Sequence, residues 1–299
     1  MNSLAYYNTE VINRSDLTID VRDLGFIMGT TVSERLRTFQ GELFEIEAHL
    51  ARLQESLDIT QFKLQQSLDE LKDAALQLVA QNHRLLPAGS DLGLAILVTP
   101  GLSSASTPNV MMYTDELPFE QMLSWYHHGV SLQVSDYRQV PGNCWPTQLK
   151  CRSRMHYFLA DQQARQRQPN ARALLLDQQG HVAEASTANI LIYEEGRGLT
   201  SPRLEYILPG ISLTVVSTLA DSLDIPFHYG DITPDRLKHA DEVLLCSTSP
   251  CIWPVTECDG TQIGTLSHDT VTARLQRAWS KSVGVDLVAQ AELMTIDQA

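Results

Sequence analysis

The chain has little positive charge for its 299 residues: 22 Lys and Arg stand against 36 Asp and Glu, a formal net charge of −14. Nucleic acids and anionic membranes attract proteins through a positive field, so the sequence predicts neither as a partner. No apolar run approaches the roughly 18–20 residues of a spanning helix. The N-terminus shows no basic segment followed by an apolar one, as a signal peptide would. We therefore expect a cytoplasmic protein.

Cysteine is also scarce, with five in the chain. The count is odd, and no pair has the Cys-x-x-Cys spacing of redox or zinc motifs. They are Cys144, Cys151, Cys246, Cys251 and Cys258. Such usage favours free thiols in a reducing compartment, and the sequence predicts no metal site.

The first part of the chain alternates between strand and helix patterns. Alternation predicts strands over residues 17–22, 31–39 and 42–46, the last two as a hairpin around Gln40-Gly41, and apolar runs predict strands over 92–99 and 109–113. Apolar residues at helical spacing predict two helices, with stripes at Ile46, Leu50, Leu53 and Leu57, and at Leu64, Leu68, Leu71, Ala75 and Leu78. We interpret residues 1–125 as an N-terminal α/β domain.

The pattern restarts at Gly129 and predicts a second domain over residues 126–299. Strands are predicted at 130–135, 172–177, 181–185, 189–193 and 242–246. Helices are predicted at 152–167, after Gly210, and at 270–282. Strands interleave with helices throughout, so the fold class is α/β or α+β with mixed sheets.

Lys150 lies between a Pro- and Gly-containing loop and a predicted helix. Most lysines are solvated surface residues, and this one alone would be read that way. A lysine placed in a cleft has another use, since its amine forms a Schiff base with an aldehyde once burial lowers its pKa.

Glu184 and the segment at 208–212 are the next candidates. Glu184 ends a predicted hairpin and is followed five residues later by Asn189, and alone it would be an exposed glutamate. Gly210-Ile211-Ser212 opens a predicted helix, where free backbone N–H groups bind anions, although an ordinary helix cap explains the segment equally well.

Taken in order, these motifs resemble the fold-type IV pyridoxal-phosphate enzymes. That class IV aminotransferase family includes branched-chain aminotransferases, D-amino acid aminotransferases and aminodeoxychorismate lyase. The resemblance rests on His49-Leu-Ala-Arg52, Lys150 with Leu159-Ala160 nine and ten residues on, Glu184 with Asn189, Leu208-Pro-Gly-Ile-Ser212, and Ser247-Thr248. Each motif is loose, but their common order over most of the chain is specific.

The resemblance implies a two-domain architecture, with a small N-terminal α/β domain and a larger C-terminal domain built on a barrel-like mixed sheet. It implies pyridoxal 5′-phosphate as cofactor, Lys150 as its attachment point, and a homodimer. Glu184 would meet the pyridine nitrogen, with Asn189 supporting that region, and Leu208 would pack on the ring. The phosphate would be bound by Arg52, Ile211, Ser212 and Thr248.

Substrate contacts are less clearly indicated. By resemblance the candidates are Met28, Arg37, Arg154 and Ser249. Arg37 resembles an arginine of the branched-chain enzymes, whereas Arg154 resembles the lyases. Branched-chain enzymes place a tyrosine where this chain has Met155, and D-amino acid enzymes have an arginine where it has Pro100. No subfamily fits cleanly.

The sequence therefore predicts an aminotransferase that moves an amino group between an amino acid, with branched-chain amino acids as candidates, and a 2-oxo acid. An aminodeoxychorismate lyase-type enzyme, which uses the same lysine and releases pyruvate, is the alternative. A cofactor-binding protein without turnover is the third possibility, and the retained Lys150 and Glu184 argue against it.

Overall fold

The structure is a computed structural model that describes residues 3–296. The chain divides into two compact units. The first comprises Met1–Leu117 together with Gln148–Ser153, and the second comprises Pro118–Thr147 and Arg154–Ala299. Lys150 thus belongs to the first unit, whereas the division predicted at residue 125 placed it in the second domain.

The first unit contains six strands, three helices and a short 3-10 turn at Arg14–Asp16 among its described residues. Its elements are β1 (Leu4–Tyr7), β2 (Glu10–Asn13), α1 (Leu24–Ile27), β3 (Val32–Phe39), β4 (Glu42–Leu43), α2 (Ile46–Thr60), α3 (Leu68–His83), β5 (Leu92–Thr99) and β6 (Asn109–Glu116). The strands form one antiparallel sheet in the order β2-β1-β6-β5-β3-β4.

Helices α2 and α3 pack on one face of this sheet. Leu53 and Leu78 of their apolar stripes are fully buried against Leu36 and Leu94 of β3 and β5. The helical spacing in the sequence therefore identified the core correctly. The first residues of the two predicted stripes are only partly buried, and Leu64 precedes α3. The turn from β3 to β4 has positive φ at both Gln40 and Gly41, 53° and 81°, as a tight hairpin turn requires.

The second unit is larger and mixed. Its elements are α4 (Phe119–His128), β7 (Val130–Arg138), α5 (Met155–Arg167), β8 (Arg172–Leu176), β9 (Val182–Ala185), β10 (Asn189–Glu194), β11 (Gly198–Ser201), α6 (Ile211–Ser222), β12 (Phe227–Tyr229), α7 (Pro234–Lys238), β13 (Glu242–Ser247), β14 (Cys251–Cys258), β15 (Thr261–Gln262), α8 (Val271–Val283) and α9 (Leu287–Ile296).

The second sheet runs in the order β12-β11-β10-β13-β14-β7-β8-β9, with β15 paired to β14. Three pairs are parallel, β11-β12, β14-β7 and β7-β8, and the others are antiparallel. The sheet curls into a half-barrel, because its last strand β9 connects through the short turn at residues 185–188 to β10, near the opposite end of the strand order. The predicted α/β class with a mixed, barrel-like sheet is confirmed.

One predicted strand is wrong. Residues 17–22 run as irregular chain ending in a turn, and Val21 is 71% exposed. The first sheet ends at β2 on one side and β4 on the other, and residues 17–22 pair with neither. The apolar side chains of this segment therefore have no neighbouring strand to cover them. Helices α4 and α9 were not predicted, and they pack against each other. No side chain caps α4, whereas Asp286 caps α9 by accepting from Val288 N and Ala289 N, each at 3.1 Å.

Candidate active site

The backbone of Lys150 is fixed by β3 and α2. Its carbonyl oxygen accepts a hydrogen bond from Ser33 N at 2.9 Å, and its own N–H donates to Ser56 Oγ at 3.2 Å. The next residue, Cys151, forms a bridge with Val32. Only 9% of Lys150 is exposed. The starting point of the Lys150 side chain is therefore fixed by hydrogen bonds to two neighbouring elements.

Glu34 joins two residues of the His49-Leu-Ala-Arg52 motif. Arg52 donates to it through Nε and Nη2, each at 2.8 Å from a different carboxylate oxygen, and His49 Nδ1 lies 2.7 Å from Oε2. Glu34 is fully buried, on the core-facing side of β3 with Val32 and Leu36. We call Glu34, His49, Arg52 and Lys150 the Glu34 cluster, and the bidentate pair in it fixes the Arg52 guanidinium plane.

Charge decides the protonation of this cluster. Burial raises the pKa of Glu34, but the hydrogen bonds and charge of Arg52, the hydrogen bond from His49 and the charge of Lys150 lower it to about 2. Burial lowers the pKa of His49, and the charges of Arg52 and Lys150 act in the same direction. Glu34 is therefore ionised at neutral pH, and His49 is neutral and donates its Nδ1 proton.

Replacing Glu34 with Gln is expected to destabilise the protein by about 3–5 kcal/mol at pH 7, because Arg52 is left without its buried partner. The stabilising contribution of Glu34 is complete above its unfolded pKa of about 4.5 and is lost as the pH falls towards about 2. Urea unfolding should show that the difference in the free energy of unfolding between wild type and variant shrinks below pH 4.5. A difference that stays constant down to pH 3 would contradict this. Glu55→Gln, at an exposed position of α2, the helix of Arg52, is the control.

Glu184 lies at the centre of a second group, in the second unit. Its Oε1 accepts hydrogen bonds from Tyr157 Oη at 3.1 Å, from Leu208 N at 3.3 Å and from Gln139 Nε2. Glu184 is only 3% exposed. Burial, with the charge of Glu184, raises the pKa of Tyr157 well above its usual value, so the phenol keeps its proton and donates it. We call Glu184, Gln139, Tyr157 and Leu208 the Glu184 cluster.

Asn189 connects this cluster to the start of α6. Its Nδ2 donates to the carbonyl oxygen of Leu208 at 3.0 Å, while the N–H of the same leucine binds Glu184. A side chain at Gly210 would overlap Asn189 Oδ1, so only glycine fits there. Since Gly210 is the N-cap of α6, no side chain caps this helix, and the backbone N–H groups of Ile211 and Ser212 remain as anion donors.

The turn with Thr248 and Ser249 follows the strand next to Asn189. Asn189 pairs with Cys246 at the end of β13, and the turn leads from Ser247 into β14. Both turn residues are partly exposed. The second unit therefore brings together Glu184, Asn189, Leu208 and the start of α6, with the Thr248 turn on the strand beside them. The first unit brings Arg52 and Lys150 together.

The other candidate substrate residues differ in exposure. Arg37 is fully buried, with its guanidinium 4.0 Å from the centre of the Phe39 ring and Nε donating to Thr38 O. Met28, the C-cap of α1, is 65% exposed. Arg154 is half-buried at the N-cap of α5. The burial and contacts of Arg37, Met28 and Arg154 do not show that they bind substrate, so their role in substrate binding stays a prediction.

Sequence reasoning missed three functional candidates, Glu34, Gln139 and Tyr157. Glu34 had a usable indication, because it is a charged residue on a strand face whose neighbours Val32 and Leu36 are apolar. Gln139 and Tyr157 had none, since each meets Glu184 only through the fold, 45 and 27 residues away along the chain.

Three further properties bear on the class of protein. Within residues 3–296, no helix is long and apolar enough to cross a membrane. In the same part of the chain, no group of His, Cys, Asp or Glu could hold a metal ion. None of the five cysteines, all of which lie within residues 3–296, forms a disulfide.

The amino-transferase class IV family matches residues 31–258, which include both clusters. The chain belongs to the class IV aminotransferase family. A D-alanine aminotransferase from Bacillus licheniformis is 29% identical over 93% of this chain and 96% of its own. The Escherichia coli branched-chain aminotransferase structure has a TM-score of 0.86, 24% identity and 94% coverage of both chains. A T.th. branched-chain enzyme, solved with pyridoxamine 5′-phosphate, has a TM-score of 0.84, 23% identity and coverage of 95% and 94%.

Class IV aminotransferases depend on pyridoxal phosphate, so cofactor and reaction class follow from membership: this enzyme transfers amino groups with pyridoxal 5′-phosphate. The predicted family, cofactor and activity are confirmed. The lyase alternative gains no support from the relatives, which are aminotransferases.

Proposed function

We propose that Lys150 is the residue that holds the cofactor and moves the proton during transamination. The supporting observation is that Lys150 is buried, that its backbone is hydrogen-bonded to both β3 and α2, and that it lies near the ionised Glu34. When bound, pyridoxal phosphate supplies the electron sink that makes the substrate Cα–H bond labile. Lys150 then serves as general base and acid, carrying the proton between Cα and the cofactor C4′.

The remaining donors suit the rest of the cofactor. Arg52, oriented by Glu34, supplies positive charge for the phosphate, and the backbone N–H groups of Ile211 and Ser212 supply an uncapped helix start. Thr248 adds a hydroxyl from the adjoining turn. Glu184 would stabilise the protonated form of the pyridine nitrogen. Asn189 and Leu208 would support these groups, and Leu208 would pack on the ring.

We infer that the donor is a branched-chain amino acid and the acceptor a 2-oxo acid. Arg37 supports this, since it matches an arginine of the branched-chain enzymes, whereas Pro100 stands where D-amino acid enzymes have an arginine. D-alanine is the second candidate, named by the Bacillus licheniformis relative. The two candidates are distinguished by incubating the enzyme with 2-oxoglutarate and each enantiomer of leucine, valine and alanine. The products are then separated by chromatography. Turnover restricted to D-alanine would overturn the branched-chain assignment.

The same assay separates transfer from elimination. An aminotransferase converts the added 2-oxo acid to an amino acid and stops without it. A lyase-type enzyme, acting on aminodeoxychorismate, releases pyruvate with no acceptor present. Pyruvate release from that substrate, together with no amino acid formed from any 2-oxo acid, would contradict the proposal. Met28, Arg154 and Ser249 are proposed as further substrate contacts.

We also propose that the enzyme is a homodimer. Each unit exposes large apolar side chains in a local group: Phe26 and Ile27 are 68% and 60% exposed, and Met155 and Phe158 on α5 are 69% and 59% exposed. Exposed apolar groups of this kind mark contact surfaces. Light scattering should give twice the 33.4 kDa chain mass.

Placing a charge in the apolar group on α5 should weaken the dimer. Phe158→Glu is expected to raise the dissociation constant about 100-fold or more, because the carboxylate would be buried without a partner. Gln81→Glu, at an exposed position of α3, should leave the dissociation constant unchanged. A monomeric wild type, or equal dissociation constants in both variants, would refute the assignment.

A cytoplasmic location is proposed as well. Cys144, Cys246 and Cys258 form no disulfide, and Cys144 is exposed, as expected for a reducing compartment. Fractionation of the producing cells tests it, and recovery outside the cytoplasm would contradict it.

A further inference from the structure

Glu184 receives more hydrogen bonds than a surface glutamate at a hairpin end would need. Three donors converge on its single Oε1, two from the side chains of Gln139 and Tyr157 and one from the backbone of Leu208. Gln139 Nε2 also lies 3.2 Å from Tyr157 Oη, so the three side chains form a closed triangle. Such a network fixes both the position and the basicity of a carboxylate.

The orientation of Gln139 shows which of its contacts matters. Its Oε1 is buried and has no hydrogen-bond partner within residues 3–296. An unpaired buried carbonyl is costly, so the amide would rotate if another arrangement offered more. The Gln139 amide instead directs its Nε2 to Glu184 and Tyr157, with which it forms hydrogen bonds. The backbone of Gln139 is held independently, with N donating to Leu176 O at 2.9 Å.

Tyr157 is anchored in a similar way. It lies on α5 with its ring 4.0 Å, centre to centre, from that of His156. The other charged or titratable groups around the hydroxyl are Glu184 and Arg154. Burial, with the charge of Arg154, lowers the pKa of His156 to about 4, so His156 is neutral at the pH of an assay.

We propose that Gln139 and Tyr157 are positioning residues that set the basicity of Glu184 and thereby the charge on the cofactor's pyridine nitrogen. This inference rests on the proposed role of Glu184. Donors on Oε1 stabilise the carboxylate anion, which leaves the shared proton on the pyridine nitrogen. Removing a donor makes Glu184 more basic, draws that proton towards the carboxylate and reduces the positive charge on the ring.

The test is a pH titration of the visible band, at about 420 nm, of the reconstituted holoenzyme. A less positive ring makes the nitrogen that links the cofactor to Lys150 more basic. The midpoint at which the band is lost should therefore rise by about half a pH unit or more in Tyr157→Phe. The affinity of the apo protein for pyridoxal 5′-phosphate and the kcat should each fall about tenfold, as for loss of one hydrogen bond to a charged group. The KM values should stay within about twofold.

Two variants complete the experiment. Gln139→Leu removes the other side-chain donor and should shift the midpoint in the same direction, so it carries the test if Tyr157→Phe does not fold. Tyr137→Phe removes an exposed hydroxyl from β7 and should match wild type.

Two results would overturn the inference. A wild-type midpoint in both Tyr157→Phe and Gln139→Leu would show that the two residues only stabilise the fold, even if both variants unfold more easily. A wild-type protein that forms no visible band with pyridoxal 5′-phosphate would instead overturn the proposed cofactor site itself, and the role of the two residues with it.

Discussion

Replacing Lys150 with Ala is expected to lower the kcat for transamination by about 10⁴-fold or more, because the attachment point and the proton carrier are lost together. Partial affinity for pyridoxal 5′-phosphate should remain, since Arg52, Glu184 and the start of α6 are unchanged. Rates would be followed by product amino acid, and cofactor retention by absorbance after gel filtration.

Stability must be measured in parallel, because Lys150 lies near the buried charge of Glu34. Lys281→Ala, an exposed lysine on α8, is the matched control and should behave as wild type. Full activity in Lys150→Ala would remove this residue from the mechanism. Inactivity shared by the control would point to a preparation that had lost its cofactor.

Replacing Glu184 with Gln is the second change with a large expected effect. The glutamine carbonyl can still accept from Tyr157 and Leu208, so the fold should be kept while the negative charge is lost. Without that charge the pyridine nitrogen is not held protonated, and kcat should fall about 10²–10³-fold, as for other lost electrostatic contacts. Stopped-flow measurement of half-reactions with single substrates separates this step from binding.

Exposed Glu120→Gln is the control for the glutamate change and should leave the rate unaltered. An activity of Glu184→Gln within threefold of wild type would show that Glu184 has no role at the cofactor. A loss confined to KM would place it in substrate binding instead.

Much of the first unit could be predicted because its core depends on local periodicity. The stripes containing Leu53 and Leu78 face the sheet, and the Gln40-Gly41 hairpin follows from local turn geometry. Residues 17–22 show where this reasoning fails. Alternation indicates a strand only if another strand covers it, and sequence periodicity carries no information about that partner.

The site residues also fall into those that local sequence motifs identify and those that only tertiary packing brings in. Lys150, Arg52 and Glu184 lie in motifs of a few residues each and could be found through their resemblance to a family. Gln139 and Tyr157 could not, because they reach Glu184 from β7 and α5 by tertiary packing alone. Glu34 lies between these cases, since its pairing with Arg52 is spatial although its place on an apolar strand face is visible in the sequence.

Reduction of the holoenzyme with borohydride, followed by peptide mass spectrometry, tests the central claim most directly. Borohydride converts the bond between the cofactor and its lysine to a stable amine, so the modified residue can be read from the fragments. We expect the visible band to disappear and a single pyridoxyl group to appear on Lys150. A pyridoxyl group on another lysine, or none at all in a protein with an intact visible band, would contradict the assignment of Lys150.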